Sequence, residues 1–366
     1  MKYVDDFRDS ASSQAAAAAI ERIVRAAPDR TYRIMEVCGG HTHAIFRFGL
    51  TDLLPDCIEF VHGPGCPVCV LPTSRVEAGL AVAERHDAIF TAFGDVLRVP
   101  GTNGTPLQRK AQGLDVRMVY SPLDALRIAE QNADREVVFF AIGFETTAPS
   151  TALTVRLARE RGITNFSVLC NHVTIVPAMR AVVDSPGLRV DGFLAPGHVA
   201  TVIGCRPFEF LAERYGKPTV VSGFEPVDML QSVLLVLRQL VAGTARVENQ
   251  YERVVPWEGN PAAFAVLAEV FELRPFFEWR GLGFLSQSAL ALRESFAGWD
   301  TERKFSVPHI EATDPQAAQC GEVLKGVLQP AQCKLFGREC TPETPVGALM
   351  VSSEGACAAH YQHRHR

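Results

Sequence analysis

The sequence predicts an α/β protein built on parallel sheets covered by helices, and three observations carry that reading. Short apolar runs at 34–37, 58–61, 88–92, 116–120, 137–142, 166–170, 192–195 and 219–221 alternate with longer amphipathic stretches, the rhythm of repeated βαβ units. Nearly every run ends in a turn rich in glycine and polar residues, and ligands bind at the carboxyl ends of strands in open α/β sheets. The ten cysteines crowd the two ends of the chain, with only Cys170 and Cys205 between.

In chain order, the spacing predicts a helix over 12–27, with serines at its start, an alanine run, Ile20, Ile23 and Val24 at helical spacing and Pro28 as the stop. The first two apolar runs end in Cys38-Gly-Gly-His41-Thr-His43 and His62-Gly-Pro-Gly-Cys66-Pro-Val-Cys69. A helix is expected just beyond Cys69, with Ser74 and Glu77 as a capping box. Segment 100–106, with two prolines and two glycines, is expected to form a long surface loop. The run at 137–142 leads into Gly143-Phe-Glu-Thr-Thr147, and Gly-Phe-Glu recurs at 223–225, a sign of two related α/β units that coincidence explains equally well. Helix Pro226–Ala242 follows. From Ala245 the βα rhythm is lost, aromatic residues cluster and the second cysteine group closes the chain. The expected division is 1–132 for the helix and a first α/β domain, 133–244 for a second, and 245–366 for a third.

Composition narrows the function. With 366 residues and 47% hydrophobic content the chain can build two to three cores. Lys and Arg number 36 against 41 Asp and Glu, a net charge of −5 without long runs of either sign, so nucleic acid and anionic membranes have no electrostatic footprint here. No apolar stretch approaches the roughly 18 residues of a membrane span. The opening residues 1–9 are too acidic for a signal peptide, which places the protein in the cytoplasm, where ten cysteines point to metal or redox chemistry rather than a disulfide framework. A phosphate-binding loop is also missing: residues 216–219, Gly-Lys-Pro-Thr, have no upstream glycine, and a proline stands where backbone donors are needed.

Cys38 should stand at the top of a strand, where its two glycines allow a sharp turn and a close ligand. The prolines around Cys66 and Cys69 stiffen that turn, and a helix N-terminus beyond it favours thiolates. Three chemistries fit these residues. They are a structural zinc site completed by Cys38 with Cys57 or His41, a thioredoxin-like redox pair, and an iron site of soft thiolates with an imidazole and open positions. Cys57 reads as an ordinary thiol, and His43 and His62 as supporting groups. Near the other end Cys320, Cys333, Cys340 and Cys357 form C-x12-C-x6-C-x16-C. Four thiolates in a glycine-rich stretch mean zinc or an iron–sulfur cluster, and spacing alone does not choose between them.

Taken together, Cys38-Gly-Gly-His-Thr-His43, Gly63-Pro-Gly-Cys-Pro-Val-Cys69, Gly143-Phe-Glu-Thr-Thr147, the four-cysteine terminus and the opening MKYVDDFR resemble the HypD family of hydrogenase maturation factors over essentially the whole chain. The resemblance implies two Rossmann-like α/β domains facing a cleft, plus a C-terminal iron–sulfur domain. It implies a scaffold on which the Fe(CN)2CO group of [NiFe]-hydrogenase is built, working with a HypC-type chaperone and a HypE-type cyanide donor. Cys38, Cys66 and Cys69, with His41, would then be the iron-handling and redox site. Cys320, Cys333, Cys340 and Cys357 would hold a [4Fe-4S] cluster, and Glu145, Thr146 and Thr147 would line the cleft. Two alternatives are a disulfide reductase acting on another substrate and a zinc-stabilised α/β binding protein. The tail His360, His363, Arg364, His365 and Arg366 has no assigned role.

Overall fold

The structure, a computed structural model, describes residues 4–27, 30–307, 310 and 317–363. All eight apolar runs are strands: β1 (Tyr32–Glu36), β2 (Ile58–His62), β3 (Ile89–Ala92), β4 (Val116–Met118), β5 (Val137–Gly143), β6 (Phe166–His172), β7 (Gly192–Pro196) and β8 (Thr219–Ser222). They form two parallel sheets. The first has the order β2-β1-β7-β8-β9, its edge supplied by β9 (Val247–Asn249), and the second the order β4-β3-β5-β6. All seven residues of β5 are buried, as expected of a strand covered on both faces.

The sheets do not follow the contiguous division at 132/133 and 244/245. Strands β3 and β4 pair with β5 and β6, while β7 to β9 return to β1 and β2. The second sheet is therefore inserted into the first. Local rhythm reports strands but not their partners, so the division by position put β1 and β2 with β3 and β4. The rhythm also outlasts Ala245 by one strand, because β9 still pairs with β8. Beyond it lie two antiparallel pairs, β10 (Phe271–Leu273) with β13 (Leu290–Leu292) and β11 (Phe276–Trp279) with β12 (Gly283–Ser286).

The first helix runs Ser10–Val24, capped by Asp9, which accepts from the Ser12 N–H, and its predicted stop at Pro28 lies outside the described residues. Its Ile20 packs with Leu230 and Val233 of helix Pro226–Ala242 against the first sheet. The expected capping box does not form. Helix Thr73–Arg85 begins one residue before Ser74, after Pro72, and Glu77 instead accepts from the Thr102 N–H, pinning the predicted loop. The two Gly-Phe-Glu copies fall one in each sheet, after β5 and after β8. Helix Ala356–His363 closes the described chain, and the tail residues Arg364, His365 and Arg366 lie outside it. Among the described residues no helix is long and apolar enough to cross a membrane.

Candidate functional site

The carboxyl ends of β1, β3, β5 and β7 converge on one cavity of about 420 Å³, so both sheets present their binding ends to the same space. Cys38 is on its wall, extended at φ −144°, as the N-cap of helix Gly39–Arg47. Thr146, Thr147, Asp95, His198 and Glu354 line the same space. The turn beneath Cys38 is held by the buried Glu36. Its Oε2 accepts from the Cys38 N–H at 2.9 Å, and its Oε1 accepts from Thr42 Oγ1 and from His62 Nδ1, the latter at 2.7 Å. Gly65 has no room for a side chain: a Cβ there would lie 2.3 Å from Cys38 N.

Cys38 is 7% exposed, and its thiol is pushed well above the ordinary range, first by burial and then by the carboxylates of Glu354 and Glu36. A cation entering the cavity would favour the thiolate, since it offers the charge partner that burial denies it. His41 is buried away from the cavity wall. Its Nε2 lies 3.0 Å from Ser222 O, its Nδ1 has no partner, and burial lowers its pKa. Its ring reaches the cavity only through Phe224, whose centroid is 4.7 Å from His41 and 3.8 Å from the cavity-lining His198. Glu145 also stays behind the wall. Oε1 accepts from the Ile175 N–H at 3.0 Å, Oε2 has no partner, and burial raises the carboxyl to about 7. Thr147 occupies the N-cap of helix Ala148–Glu160 without a side-chain cap bond, its hydroxyl instead donating to Phe144 O at 3.3 Å, and it lines the cavity beside the exposed Thr146.

Cys66 and Cys69 flank Pro67 and Val68, two residues of the cavity wall, and are joined as a disulfide across the first turn of the short helix Pro67–Val70. Both are buried, at 4% and 1% exposure. Cys320, Cys333, Cys340 and Cys357, far apart in sequence, line one small cavity of about 20 Å³ with Val323, Leu335 and Phe336. Burial, then the neighbouring Cys320, Cys340 and Cys333, raises the Cys357 thiol well above its ordinary range. Backbone N–H groups point at two of the sulfurs, Val346 at Cys340 and Leu349 at Cys320. Four thiols, apolar walls and amide donors to sulfur are the donor set that a thiolate-held cluster requires. Among the described residues no group of three or more His, Cys, Asp or Glu is arranged to hold a single metal ion. Of the expected bystanders, Cys57 is half-buried, while Cys170 and Cys205 are enclosed, with thiols pushed up to about 11 and about 12 by burial.

Glu36 and Glu354 are not singled out by the sequence, and Asp95 and His198 are marked only as members of turns where a site is expected. Asp95 and His198 lie in glycine turns that end apolar runs, a signal for a site without a signal for a role. Glu354 follows no strand, and only the fold brings it to Cys38.

The fold and this cavity define an α/β protein with a buried thiol on the wall of a cavity between two parallel sheets. The chain matches the HypD model, described as the hydrogenase formation hypA family, over residues 12–364. Hydrogenase maturation factors HypD of Rhodobacter capsulatus, Cupriavidus necator and Escherichia coli are 52%, 51% and 48% identical to it. The alignments cover 99%, 99% and 100% of this chain and 98%, 97% and 98% of those proteins. The chain belongs to the HypD family of hydrogenase maturation factors.

Proposed function

We propose that this maturation factor is the scaffold on which the Fe(CN)2CO group of [NiFe]-hydrogenase is assembled, with Cys38 as the iron anchor. The observation that carries the reading is the single buried thiol of Cys38, held by Glu36 on the wall of a cavity to which both sheets contribute. Cyanide and carbon monoxide are strong-field ligands that suit low-spin iron, and a thiolate is a soft anchor that leaves the remaining positions free. On binding, the Cys38 proton passes to Glu354, the carboxylate on the same wall. Thr146, Thr147 and His198 offer polar contacts to the ligands at the opening. Cys66 and Cys69, directly behind the wall, store two electrons as a dithiol and release them on closing to the disulfide. Cys320, Cys333, Cys340 and Cys357 would hold a [4Fe-4S] cluster, which when bound supplies single electrons. A HypC-type chaperone would receive the iron group and a HypE-type partner would donate cyanide, both at the open face of the cavity and in the cytoplasm, where free thiols persist.

Infrared spectra of partner-loaded protein isolated without oxygen test the anchor. Cyanide and carbonyl stretching bands are expected in the wild type and lost in Cys38→Ala, and bands that survive the substitution refute the assignment. A disulfide reductase of general substrates is disfavoured by the burial of Cys66 and Cys69, which keeps a second protein's disulfide out of reach.

A further inference from the structure

The thiol pair and the four-cysteine loop are joined by one short strap of chain. Arg280, 5% exposed, stands at the turn between β11 and β12. Its backbone N–H donates to Val70 O at 2.7 Å, and its guanidinium donates to Leu71 O at 2.7 Å and to Thr73 Oγ1 at 3.4 Å. Those carbonyls close the carboxyl end of helix Pro67–Val70, which carries Cys69, and a cation is favoured there. On the other side Gly281 lies against the second cysteine group: a Cβ on Gly281 would sit 2.4 Å from Gly321 Cα, next to Cys320. One peptide unit completes the junction. Cys69 Sγ is 4.0 Å from Ala348 O, and the N–H of that same peptide, on Leu349, donates to Cys320.

We infer that Arg280 is a positioning residue for the thiol pair: it holds the Cys66–Cys69 turn against the four-cysteine loop and biases the pair toward its reduced form. The inference rests on the proposal that Cys66 and Cys69 are a redox pair. Opening the bond with two electrons and one proton yields a thiol and a thiolate. The disulfide is uncharged, whereas that thiolate is stabilised by a cation fixed on the Val70 and Leu71 carbonyls beside Cys69, so removing the cation favours the disulfide.

The test equilibrates the full chain, without oxygen, against dithiothreitol and its cyclic disulfide, which supply and accept both electrons and protons. The fraction of open Cys66–Cys69 is then read by acid quench, alkylation and mass spectrometry. Arg280→Gln is expected to lower the equilibrium constant for reduction about tenfold, which is about 30 mV for a two-electron couple. Arg280→Lys, which keeps the charge, should stay within about threefold of wild type, a rescue that a purely structural role does not predict. An Arg280→Gln value within about threefold of wild type overturns the inference. If Arg280→Gln does not fold, Gly281→Ala decides. It pushes the strap off Gly321 with the charge intact, and an equilibrium constant that does not move refutes the positioning role. A wild-type pair that does not titrate at all removes the redox-pair reading itself, and the inference with it.

Discussion

Gly65→Ala is the smallest change that reaches the proposed iron anchor. The added methyl would lie 2.3 Å from Cys38 N and 2.5 Å from Cys38 Cα, where ordinary contacts begin at 3.4 Å. All the obstructing atoms are backbone, so no side chain can swing aside, and Cys38 must move by about 1 Å, a misplacement that elsewhere costs about 10²-fold in activity. Overpacking of this kind costs about 1–3 kcal/mol. Weakening the Cys38 N–H bond to the Glu36 carboxylate adds about 1–2 kcal/mol, since bonds to charged groups are the stronger kind. The expected loss is thus about 3 kcal/mol in urea unfolding, together with at least a tenfold fall in the infrared bands of the bound iron group. Gly298→Ala is the control, because nothing lies within 4 Å of a Cβ there. A Gly65→Ala protein as stable as that control and fully loaded with iron would refute the close packing of Gly65 against the anchor.

Glu145→Gln should flatten the pH dependence of stability between about 4.5 and about 7. The folded carboxyl keeps its proton after the unfolded one has lost it, so wild-type stability falls as pH rises through this window. The accumulated loss reaches about 3 kcal/mol. The buried His172, pushed down to about 4, has the opposite slope from about 4 to 6.5, so the effect is read as the difference between wild-type and variant urea midpoints at each pH. Wild-type and Gln profiles that run parallel would exclude the buried, protonated Glu145. Single alanine substitutions at Cys57, Cys170 and Cys205 should leave iron, sulfide and maturation intact, with a stability cost near 1 kcal/mol at the two enclosed positions. Cys333→Ala, in contrast, should lose most of the roughly four irons and four sulfides of a cluster in metal and acid-labile sulfide analysis.

The strands were legible because each is a local event. An apolar run bounded by a glycine turn is a strand wherever it pairs, and Cys38 and His198 could be placed at strand ends from neighbouring residues alone. Strand partnership was not legible, since β7 finds β1 across 155 residues without any local mark. The same reason hid Glu354, which reaches Cys38 from the far end of the chain, and Arg280, whose turn carries no cysteine. His41 shows the converse limit. Its motif is local and conspicuous, yet its ring points into the Ser222 carbonyl and stacks on Phe224 rather than facing the cavity. Ser74 and Glu77 have capping-box spacing, but Pro72 starts the helix early and leaves Glu77 for the loop at Thr102.

The insertion of one sheet into the other also orders events during synthesis. Strands β3 to β6 are complete by His172, whereas β1 lacks its neighbour β7 until Pro196 has been made. At about 5–20 residues per second, Cys38 therefore waits roughly 10–30 s for β7 and roughly 15–60 s for Glu354, which completes the wall around it. Until then the thiol has neither its complete cavity nor Glu354, so a truncated chain leaves Cys38 unenclosed. If Cys38 anchors iron as proposed, completion of the polypeptide would itself be the checkpoint for metal loading.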